Sequence, residues 1–113
     1  MTKLFVYGTL RGKPNATPAI TTGTMFNIGH FPAVVLEGDG QIRGELVEVE
    51  DESWDVLDAY ERVEQGLYER LEVPVLVEGK EVPVQMYVAG PLLLKEIANG
   101  KYEEIQTGDW FKR

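Results

Sequence analysis

Residues 3–7 begin the chain with an almost unbroken apolar run, Leu4, Phe5, Val6 and Tyr7. A run without alternation predicts a strand buried on both faces. Gly8 breaks it, and Gly12, Pro14, Asn15 and Pro18 predict a loop, because proline and glycine interrupt every helical period there. Residues 21–28 mix Thr, Met, Phe and Ile with glycine and predict a second strand. Residues 31–36 form a third apolar segment, and Gly38-Asp39-Gly40 is a strong turn signal. The turn leads into a further strand over residues 41–49, marked by Ile42, Gly44, Leu46 and Val49. Residues 33–49 are therefore expected to form a hairpin.

The period then changes. Trp54, Leu57 and Tyr60 recur at helical spacing and give a narrow apolar face. Asp51 is placed to cap this helix, with Glu52 and Asp55 favourable in its first turn, and the helix is expected to end near Glu61. Residues 67–77 and 81–89 are rich in β-formers, with Glu78-Gly79-Lys80 joining them as a second hairpin. Pro74 and Pro83 lack an amide donor and are expected at edges or irregular points. Residues 92–98 predict a short helix stopped by Asn99-Gly100. Thr107-Gly108-Asp109-Trp110-Phe111 carries two large aromatics, so this tail is expected to pack back. No repeat or linker interrupts the pattern. Together these elements predict an α+β fold, a small mixed or antiparallel β-barrel with flanking short helices, as a single domain over residues 1–113.

Composition narrows the chemistry. The 113 residues suffice for a real core, burying roughly two-thirds of the unfolded surface. With no cysteine there are no disulfides, thiolate metal sites or cysteine nucleophiles. One histidine, His30, makes a His-rich zinc site or a Ser-His-Asp triad a poor expectation, and its place in a loop suggests no role. The formal net charge is −8, from 19 acidic against 11 basic residues, which argues against nucleic acid. No apolar run reaches the roughly 18 residues of a membrane helix, and Met1-Thr2-Lys3 does not resemble a signal peptide, so a cytoplasmic protein is expected.

Two features carry candidate chemistry. In Tyr7-Gly8-Thr9-Leu10, a strand ends on glycine, where backbone can approach a ligand closely and amide donors can serve a carboxylate or polarised carbonyl. On spacing alone the same four residues read first as a tight turn closing the strand. Glu61 falls at the negative end of the expected helix, which would raise its pKa and suit a proton shuttle, with Asp58 adding like-charge repulsion. Taken alone it reads first as a solvated surface glutamate. Glu45, Glu48, Glu50, Asp51 and Glu52 lack metal-loop spacing and read as a solvated face. Gly8 and Gly12 do not complete a dinucleotide fingerprint. Trp54, Tyr60 and Trp110 read as packing residues.

In order along the chain, Phe5-Val6-Tyr7-Gly8-Thr9-Leu10-Arg11, Gly29-His30-Phe31-Pro32-Ala33-Val34, Ile42-Arg43-Gly44-Glu45-Leu46, Leu57-Asp58-Ala59-Tyr60-Glu61, Leu67-Tyr68-Glu69-Arg70 and Gly108-Asp109-Trp110 resemble the gamma-glutamylcyclotransferase-like family. The match is to small members of the gamma-glutamylamine cyclotransferase type. The resemblance implies a small barrel and cleavage of a gamma-glutamyl amide by attack of its own α-amine, giving 5-oxoproline and a free amine. It implies Glu61 as the catalytic proton-transfer group and Tyr7, Gly8, Thr9, Leu10 and Tyr68 as substrate-binding residues. Because the nucleophile belongs to the substrate, no cofactor or metal is implied, and the expected partner is a small gamma-glutamyl molecule. Members often carry glycine after the glutamate, where this chain has Arg62, whose guanidinium would lower the pKa of Glu61. That departure keeps a second expectation open, a non-catalytic module binding a small carboxylate or a protein partner.

Overall fold

The first strand, β1 (Thr2–Val6), is buried at Leu4, Phe5 and Val6 because it has neighbours along both edges and packing on both faces. In the computed structural model, which describes residues 2–8 and 11–113, β1 pairs antiparallel with β5 (Gln41–Val49) and parallel with β7 (Lys80–Ala89). The other edge of β5 pairs with β2 (Thr17–Thr22), and β2 meets β6 (Tyr68–Val77), which forms a long hairpin with β7. The order β1-β5-β2-β6-β7 closes into a barrel with one parallel seam. This is the mixed α+β barrel that the pattern predicts.

A smaller sheet lies beside it, in the order β4 (Pro32–Val35), β3 (Thr24–Asn27), β8 (Glu103–Glu104). Two expectations fail here. Residues 21–28 are two strands, parted at Gly23, whose N–H donates to the Gly40 carbonyl as the chain leaves the barrel. Residues 33–49 are not a hairpin, because β4 pairs with β3 while β5 pairs with β1 and β2. A strand has only two edges, and both edges of β5 are taken by barrel neighbours.

Alternation sorts the core into two layers. Phe5, Ile42, Leu46, Val73, Val75, Val84, Met86 and Val88 fill the barrel with Met25, Val34, Ile105 and Trp110. Leu4, Val6, Val49, Tyr87 and Ala89 point outward and pack under the helices with Trp54 and Leu93. Complete burial of a side chain such as Phe5 or Met86 stabilises by about 1.5–3 kcal/mol.

A 3-10 turn (Asp51–Ser53) leads into α1 (Trp54–Tyr60), which ends at Glu61 as expected. Asp51 does not cap it. That residue lies inside the 3-10 turn, and no side chain caps α1. The β6–β7 turn is the pair Glu78-Gly79, with φ of 52° and 79°, a geometry that matches hairpin twist. Pro74 and Pro83 face one another in mid-hairpin, where neither has a ladder partner on its outer side, and the Pro74 carbonyl accepts the Thr21 hydroxyl at 3.0 Å. The second helix, α2 (Pro91–Ala98), ends at Asn99 as expected. No helix among the described residues is long and apolar enough to cross a membrane.

The tail packs back through Asp109 and Trp110, 4% and 3% exposed, while Phe111 stays at the surface. Gly108 makes this possible. It has φ of +66°, and a Cβ there would overlap the Gln41 carbonyl, so only glycine lets the tail lie this close to β5. The Gly108 carbonyl accepts the Arg43 N–H at 2.9 Å.

Candidate active site

The end of β1, the end of α1 and the start of β6 converge on a cavity of about 310 Å³. Leu4, Phe5, Val6 and Tyr7 arrive from β1, and Leu57, Tyr60, Glu61 and Arg62 from the end of α1. Leu67 and Tyr68 arrive with β6, Tyr87 with β7, and Phe31 and Pro32 with β4. Four of the expected site residues, Tyr7, Gly8, Glu61 and Tyr68, therefore share one cavity. Thr9 and Leu10 lie outside the described residues.

Gly8 forms a wall by close packing. A Cβ there would sit 2.9 Å from Cδ of Pro32, so any larger residue pushes on that ring. The Pro32 carbonyl in turn accepts the Tyr68 hydroxyl at 2.7 Å, which fixes the phenol. Opposite, the Tyr7 hydroxyl donates to the Tyr87 carbonyl at 2.6 Å. Both phenols have spent their single proton on a backbone oxygen. Burial raises both pKa values, and the Glu61 charge raises them further, so both stay neutral.

Glu61 caps the C-terminus of α1, its N–H donating to the Leu57 carbonyl at 2.9 Å. It is half-buried, and burial pushes its carboxyl above the ordinary range. The direction agrees with the sequence, but two expected causes are corrected. Asp58 does not repel it, because Asp58 accepts from Arg70 at 2.9 and 3.1 Å and from the Tyr87 hydroxyl at 2.6 Å. Those bonds outweigh burial and hold the Asp58 carboxyl below its usual range. Nor does Arg62 lower Glu61. The two form no ion pair, and burial sets the carboxyl.

The Asp58–Arg70–Tyr87 network was not foreseen as a unit. Arg70 also lies over the Trp54 ring, 4.5 Å from its centroid, and so ties β6 to α1 beneath the cavity. Its sequence signal was the presence of Asp58 and Arg70 in adjoining motifs, visible only once α1 and β6 are packed together. Tyr60 is also reassigned. Its helical spacing suggested packing, yet it is 77% exposed and lines the mouth of the cavity with Phe31 and Arg62. His30 lies in an exposed bend outside the cavity. Among the described residues no cluster of His, Asp and Glu has the arrangement of a metal site.

The arrangement offers a carboxyl with a raised pKa facing two neutral phenols and a glycine backbone, in an apolar recess open at one side. Such a site suits moving a proton on a small molecule whose polar end lies between Gly8 and the tyrosines.

The family model described as "Gamma-glutamyl cyclotransferase, AIG2-like" matches residues 4–112. No curated protein sequence matches the chain significantly. Among solved structures, an AIG2-like protein from Mus musculus is 24% identical with a TM-score of 0.67, over 83% of this chain and 82% of that one. Protein ytfP from Escherichia coli is 28% identical with a TM-score of 0.67, over 98% of this chain and 97% of that one. YkqA from Bacillus subtilis is 26% identical with a TM-score of 0.72, over 96% of this chain but 39% of that one.

Proposed function

The chain belongs to the gamma-glutamyl cyclotransferase, AIG2-like family, and we propose that it cyclises a gamma-glutamyl amide to 5-oxoproline with release of the amine. The observation that carries this reading is the half-buried Glu61, its carboxyl raised by burial, in the cavity it shares with Tyr7, Gly8 and Tyr68.

The chemistry follows from the groups present. The substrate's α-ammonium must lose a proton before it can attack, and the Glu61 carboxylate takes it. The α-nitrogen then adds to the side-chain carbonyl carbon of the same glutamyl group, and a five-membered ring forms. The C–N bond to the leaving amine breaks as Glu61 returns the proton to that nitrogen. The regenerated carboxylate then takes the second proton from the ring nitrogen and passes it to the released amine. The two protons lost by the α-ammonium thus leave on the product ammonium, and Glu61 ends as it began. Burial brings the carboxyl closer to the neutral range, where one group can act first as base and then as acid. The Glu61 carboxylate and the Tyr68 phenol oxygen suit the ammonium, and the Gly8 turn suits the substrate carboxylate or the developing oxyanion. Holding the glutamyl chain folded supplies much of the rate, since the attack is intramolecular.

Incubation with gamma-glutamyl amines and gamma-glutamyl amino acids, with 5-oxoproline followed by chromatography, tests the reading. Glu61→Gln is expected to lose at least about 100-fold in kcat/KM. Retention of full activity by that variant would rule out Glu61 as the proton shuttle. Absence of 5-oxoproline from every substrate would leave the site as a binding pocket.

A further inference from the structure

Arg62 holds a backbone conformation that side chains avoid, with φ of 55°. It is fixed there at both ends. Its N–H donates to the Ala59 carbonyl at 3.1 Å, and its carbonyl accepts the Leu67 N–H at 3.2 Å. The left-handed turn is what lets the chain double back from α1 and bring Tyr68 opposite Glu61, and glycine would make it without strain. Yet the position carries an arginine, exposed and lining the cavity. Among the described residues its guanidinium pairs with no carboxylate. Strain retained beside a site, in a residue with no structural partner, points to a role in what the site binds.

The cavity wall has two zones. Leu4, Phe5, Val6, Tyr7, Pro32, Tyr68 and Tyr87 are buried and form the floor, whereas Phe31, Tyr60 and Arg62 are exposed and form the mouth. Arg62 is the only cation among the lining residues, in a protein of net charge −8 whose wider field repels anions. A glutamyl group held on the floor leaves its amide partner at this mouth.

We propose that Arg62 is a specificity-determining residue that selects gamma-glutamyl substrates whose leaving amine carries its own carboxylate beside an apolar side chain. The guanidinium takes the carboxylate through charge-assisted hydrogen bonds, and the exposed faces of Tyr60 and Phe31 cover the apolar part. A cationic leaving amine meets repulsion instead. This inference rests on the cyclotransferase reading above and deepens it.

The test compares gamma-glutamyl-leucine with gamma-glutamyl-isopentylamine, which differs only in lacking the leucine carboxylate, and with gamma-glutamyl-leucinamide, which masks that charge. The unaltered protein is expected to prefer the first by about five- to tenfold in kcat/KM. The preference should shrink as salt is raised. Arg62→Gly suits the local backbone and should fold at least as well, yet its ratio should fall to about one, while Arg62→Lys should keep part of the preference. Equal turnover of the three compounds by the unaltered protein, or a preference that survives in Arg62→Gly, would overturn the proposal. If no compound is turned over, the cyclotransferase reading fails, and binding then decides. Calorimetric affinities for the same compounds must still differ in the unaltered protein and converge in Arg62→Gly, and equal affinities would overturn the proposal.

Discussion

At Glu61 a single carboxyl is held above its ordinary pKa by burial, and this has a consequence for stability as well as chemistry. A raised carboxyl means that the native state binds more protons than the unfolded state between the unfolded and folded pKa values. Burying the charge is therefore a penalty that is absent below the unfolded pKa and grows as pH rises through the folded value. Glu61→Gln removes it. The variant should melt higher than the unaltered protein at pH 7, and the gap should close by about pH 4, near the unfolded glutamate pKa. Thermal melts at both values check this, and a gap independent of pH would show that the charge is not what destabilises. The sequence located Glu61 at a helix end but attributed its state to the helix terminus and to Asp58. The error lay in partners that are distant along the chain. Arg70 and Tyr87 capture Asp58, and they come from β6 and β7.

Among the elements, the tail matters most to the site. Arg11 donates its backbone N–H to the Gly8 carbonyl at 3.1 Å and its guanidinium to Asp109 at 2.7 Å, and it lies over the Phe111 ring. Asp109 also accepts the Phe111 N–H at 3.0 Å. Against the burial that pushes the Asp109 carboxyl up, these bonds hold it below its usual range. The tail thus holds Arg11, whose N–H holds the Gly8 carbonyl. Asp109→Ala leaves a nearly buried guanidinium without its partner and should destabilise by about 3 kcal/mol, read from urea denaturation at pH 7. Under the proposed activity it should also raise KM for every gamma-glutamyl substrate alike, whatever the leaving amine, which separates it from Arg62→Gly. The aromatic content of the tail announced that it would dock. Nothing in the local pattern said where, because its partners Gln41, Arg43 and Arg11 lie far back along the chain. The strands were legible for the same reason in reverse. Apolar runs and turn residues mark β1, β5, β6 and β7 locally, whereas the pairing of β4 with β3 depended on which edges the barrel had already used.

For the molecule as a whole, the formal charge of −8 is a uniform burden on the folded state. Self-repulsion is strongest in the compact form and is screened when the Debye length falls from about 10 Å at 0.1 M salt to about 3 Å at 1 M. Sodium chloride should therefore raise the melting temperature at pH 7 over that range. A falling melting temperature would mean that the Arg11–Asp109 and Arg70–Asp58 pairs outweigh the net repulsion. The same field makes the lone cation at the cavity mouth more conspicuous to an arriving anion. Barrel, helices and cavity together were predictable as a class. The division of the cavity into a closed floor and an aromatic, cationic mouth was not, since Phe31 meets Tyr60 and Arg62 only after the start of β4 has packed beside the end of α1.

The parallel seam that closes the barrel joins Leu4 and Phe5 to Gln85 and Met86. During synthesis, β1 leaves the ribosome ahead of the other strands and must wait for about 80 further residues before that edge is covered, roughly 4–16 s at 5–20 residues per second. Throughout that interval one edge of its Leu-Phe-Val run stays open, the kind of segment chaperones hold. The strand that carries Tyr7 to the cavity is thus the earliest part of the site to be made and among the last to be secured.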